Sequence, residues 1–306
     1  MKHFLLRLFI FLAPVGLLLL GLEILQRQLP NNYVLKRDRM AVLHDSLETL
    51  ILGSSHTQLG INPDSLDGKA FNLALTAQTL YFDHFLLTRY LDSMPRLRRV
   101  ILPISYSSYA AESDRNPGDY NKSYHYAFFF GSTAFTDWYS IRRYSLVAIW
   151  SVKQSVDRAW AYYTRGDSLV DSGPNGWMAA RDQHNLAKNG QESGLFHDQY
   201  YDSTLIPLNI ARVTDIARLC RERHIELVLI STPMWRSYME HIRRDRYHHM
   251  VSTTDSLSQA LGIPYYNFTE DPRFVEEDYY DANHLRIQGA NKLTTLLRDT
   301  LNAQNR

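Results

Sequence analysis

The chain has 306 residues, 45 % of them hydrophobic, enough for one large or two small domains with a substantial core. Its formal net charge of +1 lacks the basic excess of a nucleic-acid binder, so no nucleic-acid partner is expected. A single cysteine, Cys220, excludes an intrachain disulfide and any zinc site built on several thiolates.

Residues Leu8 to Leu22 carry no charge and are almost all Leu, Phe, Ile, Val, Ala and Gly. With Phe4, Leu5 and Leu6 in front, the stretch approaches the ~20 residues that cross a bilayer as a helix. Lys2 and Arg7 precede it, so the positive-inside rule keeps the N-terminus cytoplasmic and the body of the chain outside. Residues 1–27 are therefore read as an uncleaved membrane anchor. A cleaved signal peptide is the rival reading, but no small-x-small cleavage site is visible. A buried core helix is the third reading. Residues 28–42, polar and carrying Pro30, read as a linker, and residues 43–306 as the folded domain.

The domain opens on "LETLILGSS" (Leu47 to Ser55), a short apolar run closed by glycine, which predicts a buried strand. Leu80, Phe82, Phe85, Leu86 and Tyr90 recur at helical spacing until Pro95 stops the pattern. Val100 to Ile104 predicts a second strand. From Leu205 to His224 the period is helical again, and "IELVLIST" (Ile225 to Thr232) is a strand ended by Pro233. Tyr247 to Gly262 reads as a helix with glycine at its stop, Ile263 to Phe268 as a short strand, and Arg286 to Ala303 as the closing helix. Strands alternating with helices predict an α/β fold: three layers, α/β/α, around a mostly parallel, flavodoxin-like sheet. In such sheets chemistry sits at the carboxyl ends of the strands, where Ser54 and Ser55 fall. Residues of about 110–203 break the alternation. This aromatic-rich insert, helical from Trp138 to Tyr163, reads first as a subdomain whose rings fill its own core. A cap beside the site and a membrane-surface element are the other two readings.

The second constellation is "YYDANHLRIQGANKL", in which Asp281 and His284 lie three apart just before the last helix. A serine nucleophile needs a base for its proton, and the base needs an orienting carboxylate. Ser55, His284 and Asp281 supply the three. No G-x-S-x-G occurs, which sets the chain apart from the α/β-hydrolase arrangement. The bland readings are a Gly-Ser-Ser turn whose hydroxyls cap the next segment, a helix-entry aspartate and a surface histidine. His56 reads as a loop residue lining the pocket rather than as the base. His241, His248 and His249 read as a solvated face before they read as metal ligands. The segment Ser231 to His241 follows a strand end and reads as bordering the pocket, with Trp235 or Arg236 read either as a substrate contact or as part of a packed loop, and His197 to Asp202 has no convincing ligand geometry.

This arrangement resembles the SGNH (GDSL-like) hydrolase family. Gly53-Ser54-Ser55 matches that family's first block, with Ser54 in place of its aspartate, and Asp281-Ala282-Asn283-His284 matches its last block fully. The middle blocks match less. The resemblance would make Asn72 and Ala77 the second-block asparagine and glycine, and Ser107 the third-block asparagine. It implies these three as oxyanion or substrate-binding groups, with alanine less free than glycine to take the required backbone. Weak middle blocks, a "GSS" nucleophile and an N-terminal anchor look like the branch of membrane-anchored envelope acylation proteins (D-alanyl transfer and alginate O-acetylation). The resemblance covers residues of about 45–108 and 205–303. It implies a serine esterase or O-acyltransferase with the catalytic triad Ser55, His284 and Asp281. The domain would lie on the periplasmic side of a bacterial inner membrane. Its implied partners are an acylated envelope polysaccharide or other acyl ester, the inner membrane itself and a membrane-bound acyltransferase. No metal or organic cofactor is implied. The alternative is a non-catalytic envelope protein that keeps the fold and binds a polysaccharide or membrane partner.

Overall fold

The computed structural model describes residues 1–112 and 120–304, so positions 113–119 of the insert lie outside the described residues. In chain order the elements are α1 (Lys2–Gln28), α2 (Asn32–Leu43), β1 (Thr49–Ile51), α3 (Ser55–Gly60), β2 (Ala70–Asn72), α4 (Leu80–Leu91), β3 (Arg99–Pro103), α5 (Tyr120–Phe130), α6 (Leu146–Trp150), α7 (Val152–Trp160), α8 (Leu186–Gln199), α9 (Ile206–Glu222), β4 (Glu226–Ser231), α10 (Arg236–Met239), α11 (Arg244–Leu261), β5 (Tyr265–Asn267), β6 (Tyr279–Asp281), β7 (His284–Leu285) and α12 (Ile287–Gln304). They form two compact units, Met1–Leu35 with Gly118–Asp171, and Lys36–Pro117 with Ser172–Arg306.

The larger unit is built on a five-stranded sheet of order β2-β1-β3-β4-β5, with every pair parallel. Its strands are short apolar runs because a parallel sheet is covered on both faces. Ile51, Ile101, Val228 and Ile230 point to one face, where they meet Ala290, Leu293, Leu297 and Leu301 of α12. Those four α12 positions recur every three or four residues, which makes one apolar stripe. Leu50, Val100, Leu102 and Leu229, one residue out of phase, are buried on the other face. There α9 packs against β4 and α4. The α9 stripe is Val213, Ile216, Ala217 and Cys220, so the lone thiol is simply core.

From β1 the chain first adds β2 on one side, then crosses to place β3 on the other. The gap between the carboxyl ends of β1 and β3 is therefore the topological switch point, where open α/β sheets hold their ligands.

In the smaller unit α1 packs on α6 and α7. The Glu23 carboxylate accepts bonds from Ser145 Oγ (2.8 Å) and from the backbone N–H of Leu146 (3.2 Å) and Val147 (3.0 Å), closing the start of α6. Buried Gln26 donates to the Ser155 carbonyl (2.9 Å), and Arg27 to that of Tyr144 (2.7 Å). Tyr33 stacks on His125 and Phe129, with ring centroids 4.9 and 5.5 Å apart.

Three features differ from the sequence reading. Strand β2 is missing from it, because Ala70–Asn72 offers only two apolar residues before the asparagine and so no apolar run of its own. The polar stretch read as a linker over residues 28–42 is mostly helix α2, with Lys36 and Met40 fully buried. Asn31 starts it by accepting from the Val34 N–H (3.0 Å), and the Lys36 ammonium bonds the Ala74 carbonyl. Finally, the insert does not fold as one piece. Residues 172–203 belong with the sheet, where the Trp177 indole donates to the Leu59 carbonyl (2.6 Å) and α8 packs on α10.

Candidate active site

Strand β1 delivers its cargo through a sharp turn. Gly53 has φ +110°, and a Cβ there would fall 2.0 Å from Pro103 Cγ and 2.6 Å from Thr57 Oγ1, so only glycine fits. The turn is fastened on three sides. The Gly53 N–H donates to Asp83 Oδ1 (2.7 Å), and its carbonyl accepts from the Leu75 N–H (3.1 Å). The Thr57 hydroxyl bonds the Leu52 carbonyl (2.8 Å). Ser54 is the N-cap of α3 but makes no side-chain cap, so the capping explanation of the two serines fails. Ser55 is the first helical residue. Its backbone N–H belongs to the opening turn, which has no intrahelical acceptor.

The Ser55 hydroxyl lies 2.7 Å from His284 Nε2. His284 Nδ1 lies 2.9 Å from each carboxylate oxygen of Asp281. Asp281 and His284 face each other across the β6–β7 hairpin, with Ala282 and Asn283 as its tip. Asp281 Oδ1 also accepts the backbone N–H of Asn283 (3.0 Å) and of His284 (2.9 Å). Burial pushes this carboxyl up, but the hydrogen bond and charge of His284 and the two N–H donors outweigh it. Asp281 is held below the usual carboxylate range. The hairpin is itself anchored: the Trp235 N–H donates to the Ala282 carbonyl (2.8 Å), and the Ala282 N–H to Asn189 Oδ1 (3.0 Å). The loop after β4 thus borders the site, as its sequence suggests.

Two more imidazoles sit beside the first. His56 is in α3 rather than in a loop, and is buried. Its ring centroid lies 5.2 Å from that of His284 and 6.1 Å from that of His197. Its Nε2 is 3.2 Å from Asn283 Nδ2. Burial lowers its pKa far below the ordinary value, and the charges of His284 and His197 add to the effect, so it stays neutral. His197 Nδ1 lies 2.8 Å from the Tyr238 hydroxyl. Burial, with help from His284 and against the pull of Asp281, brings His197 down to about 4. Neither neighbour then opposes a positive charge arriving on His284. Sequence reasoning gave His197 and Asn283 no part in this cluster, because neither shows a local pattern.

The other candidates from the sequence are not hydrogen-bonded to this trio. Asn72 ends β2, and its amide group donates to the carbonyls of Thr57 (2.8 Å) and Ile61 (3.0 Å) while accepting from the Ala74 N–H (3.1 Å). An amide has two hydrogens, and both are spent tying β2 to α3, so Asn72 is not an oxyanion donor here. Ala77 lies in the following turn at φ +53°, the left-handed region glycine favours, and its N–H makes no hydrogen bond among the described residues. Ser107 follows β3 at φ −100°, ψ 2°, and its carbonyl accepts from Ala110.

Behind the turn, Asp83 also accepts from Gln78 Nε2 (2.6 Å), and burial pushes its carboxyl up to about 7 against those two bonds. A carboxyl on the buried stripe of α4, beside Phe82, Leu86 and Leu87, was the one readable signal for it. Among the described residues no three His, Cys, Asp or Glu side chains are placed to share a metal ion. His248 and His249 are exposed, and His241 Nδ1 bonds the Ser237 carbonyl (2.7 Å).

No protein-family model matches the chain, and no curated protein matches it. Several solved structures are distantly similar. A protein assigned as an acylhydrolase from Bacteroides fragilis shares 10 % identity at a TM-score of 0.41, over 85 % of this chain and 88 % of its own. A GDSL-like lipase from Bacteroides thetaiotaomicron shares 11 % at 0.41, over 89 % and 99 %. A protein assigned as a platelet activating factor from Streptococcus pneumonia shares 12 % at 0.42, over 95 % and 98 %. At these values the likeness carries no argument about chemistry. What the molecule itself defines is an α/β protein with a Ser–His–Asp chain of hydrogen bonds beyond the carboxyl end of β1.

Proposed function

We propose that this chain is a membrane-anchored, extracytoplasmic serine esterase or O-acyltransferase of SGNH type, acting on acyl esters of envelope polysaccharide. The observation that carries it is the unbroken path from Ser55 Oγ through His284 to the Asp281 carboxylate. Ser55 attacks the ester carbonyl as His284 Nε2 takes its proton. Asp281 fixes the Nδ1–H tautomer and stabilises the imidazolium. The tetrahedral oxyanion is held by the Ser55 N–H, with the Ala77 N–H as second donor and Ser107 as a side-chain one. Collapse expels the alcohol, which takes the proton back from His284. Water or a sugar hydroxyl, deprotonated by the same imidazole, then releases the acyl group. Helix α1 is apolar and long enough to cross a bilayer. It favours transfer over hydrolysis, because it keeps the domain beside a membrane-bound acyltransferase acting as donor.

The commitment of both Asn72 hydrogens favours a second reading, a binding module that keeps the fold. Release of p-nitrophenolate from a p-nitrophenyl ester, with and without a sugar-hydroxyl acceptor, reports attack by Ser55 whether the acyl group passes to water or to the acceptor, and separates the two. Turnover by the intact chain, abolished in Ser55→Ala, supports the enzyme. Equal, background-level release by both proteins refutes it.

A further inference from the structure

The smaller unit carries its apolar surface on the outside. On α7 and the turn after it, Val152, Val156, Trp160 and Tyr163 recur every three or four residues, which makes one helical stripe, and all four are exposed. Their opposite side is the packed one: Ser155 is fully buried, and its carbonyl takes the Gln26 amide. Trp138, 75 % exposed, and Ile141 continue the apolar surface in the loop before α6. An amphipathic helix with its apolar stripe turned outward calls for an apolar neighbour.

What that neighbour is follows from where the unit is attached. Its bonds to α1 are made by Glu23, Gln26 and Arg27, directly after the uncharged run ends at Leu22. The Trp138 loop joins the same point, because the Tyr144 hydroxyl bonds the Trp138 carbonyl and the Tyr144 carbonyl receives Arg27. At 1.5 Å rise per residue these contacts lie within roughly 8 Å of the end of that run. The headgroup layer on each side of a bilayer is about 5–8 Å thick. Trp and Tyr are the residues that settle in that layer, ring inward and polar edge in water.

We propose that this unit is an interfacial platform: the α7 stripe and the Trp138 loop lie in the headgroup boundary of the membrane that α1 crosses. The occupant is lipid, not a second protein. The proposal rests on α1 being membrane-spanning, and the test separates the two claims. The full chain is reconstituted in vesicles of phosphatidylcholine and phosphatidylglycerol, with or without acyl chains brominated near the headgroup. Tryptophan emission is then compared between wild type and Trp138→Phe/Trp160→Phe. The expected result is strong quenching of the wild type by brominated lipid, most of it lost in the double variant, with both proteins resisting alkaline carbonate extraction. Equal quenching of the two proteins while both resist extraction overturns the platform and leaves the anchor standing. Release of the chain by carbonate overturns the anchor and the platform with it.

Discussion

Replacing Gly53 by alanine probes the turn that presents Ser55. The substitution adds one methyl, which meets Pro103 Cγ at 2.0 Å and Thr57 Oγ1 at 2.6 Å, at a φ of +110°. Gly262 supplies the control: it caps α11 at φ +65°, and an added Cβ finds nothing within 4 Å. The left-handed backbone alone costs a non-glycine residue about 1–2 kcal/mol. Overpacking against atoms that cannot give way adds about 1–3 kcal/mol. Gly262→Ala should therefore lose about 1–2 kcal/mol and Gly53→Ala about 2–5 kcal/mol. With roughly 2–4 °C per kcal/mol for a unit of this size, the melting temperatures should fall by about 2–8 °C and 4–20 °C. Thermal unfolding of the full chain in detergent, followed by intrinsic fluorescence, measures both. The reasoning fails if Gly53→Ala is no less stable than Gly262→Ala.

Further outcomes follow from the same contacts. Asn72→Ala leaves the Ile61 carbonyl and the Ala74 N–H without partners and takes from the Thr57 carbonyl one of its two donors, the Ile61 N–H remaining, so it should cost about 2–4 kcal/mol of stability. Because the side chain is structural, kcat per folded molecule should fall less than about tenfold; a loss of about 10²–10³ with unaltered melting would restore it as an oxyanion donor. Asp83 has a folded pKa of about 7, above the ordinary 3.8. The folded chain then holds a proton that the unfolded chain releases, so stability should decline as pH rises from about 4 to about 7. The decline is on the order of 4 kcal/mol at ~1.4 kcal/mol per pH unit. Asp83→Asn should flatten that slope in denaturant titrations at several pH values, and an unchanged slope would remove Asp83 as its source. Asp281→Asn should lower kcat by about 10³–10⁴ with little change in KM for a small ester, because it disturbs the tautomer of His284. Retained kcat in that variant would argue against the assigned relay.

The sheet and the trio could be read from the sequence because each left a local mark. Strands β1, β3 and β4 are apolar runs closed by Gly53, by Pro103 and just before Pro233, and the D-x-x-H spacing folds onto itself as one hairpin. What escaped depends on distant partners. Helix α2 is polar in sequence, and its burial shows only once the Lys36 ammonium finds the Ala74 carbonyl. His197 and Tyr238 meet across 41 positions, and His56 and Asn283 across 227. Asn72 was visible as a residue but its bonds were not: the same amide can face an oxyanion or a pair of carbonyls, and only the fold decides. The insert's aromatics divide similarly, His125 and Phe129 stacking inward on Tyr33 of α2 while Trp138 and Trp160 stay outside.

The most direct test is to treat the detergent-solubilised full chain with a fluorophosphonate and find the adduct by peptide mass spectrometry. The account expects covalent modification at Ser55, with a rate that collapses in His284→Ala although the hydroxyl is still present. An unmodified Ser55 in the wild type, or equally fast modification without His284, would contradict it.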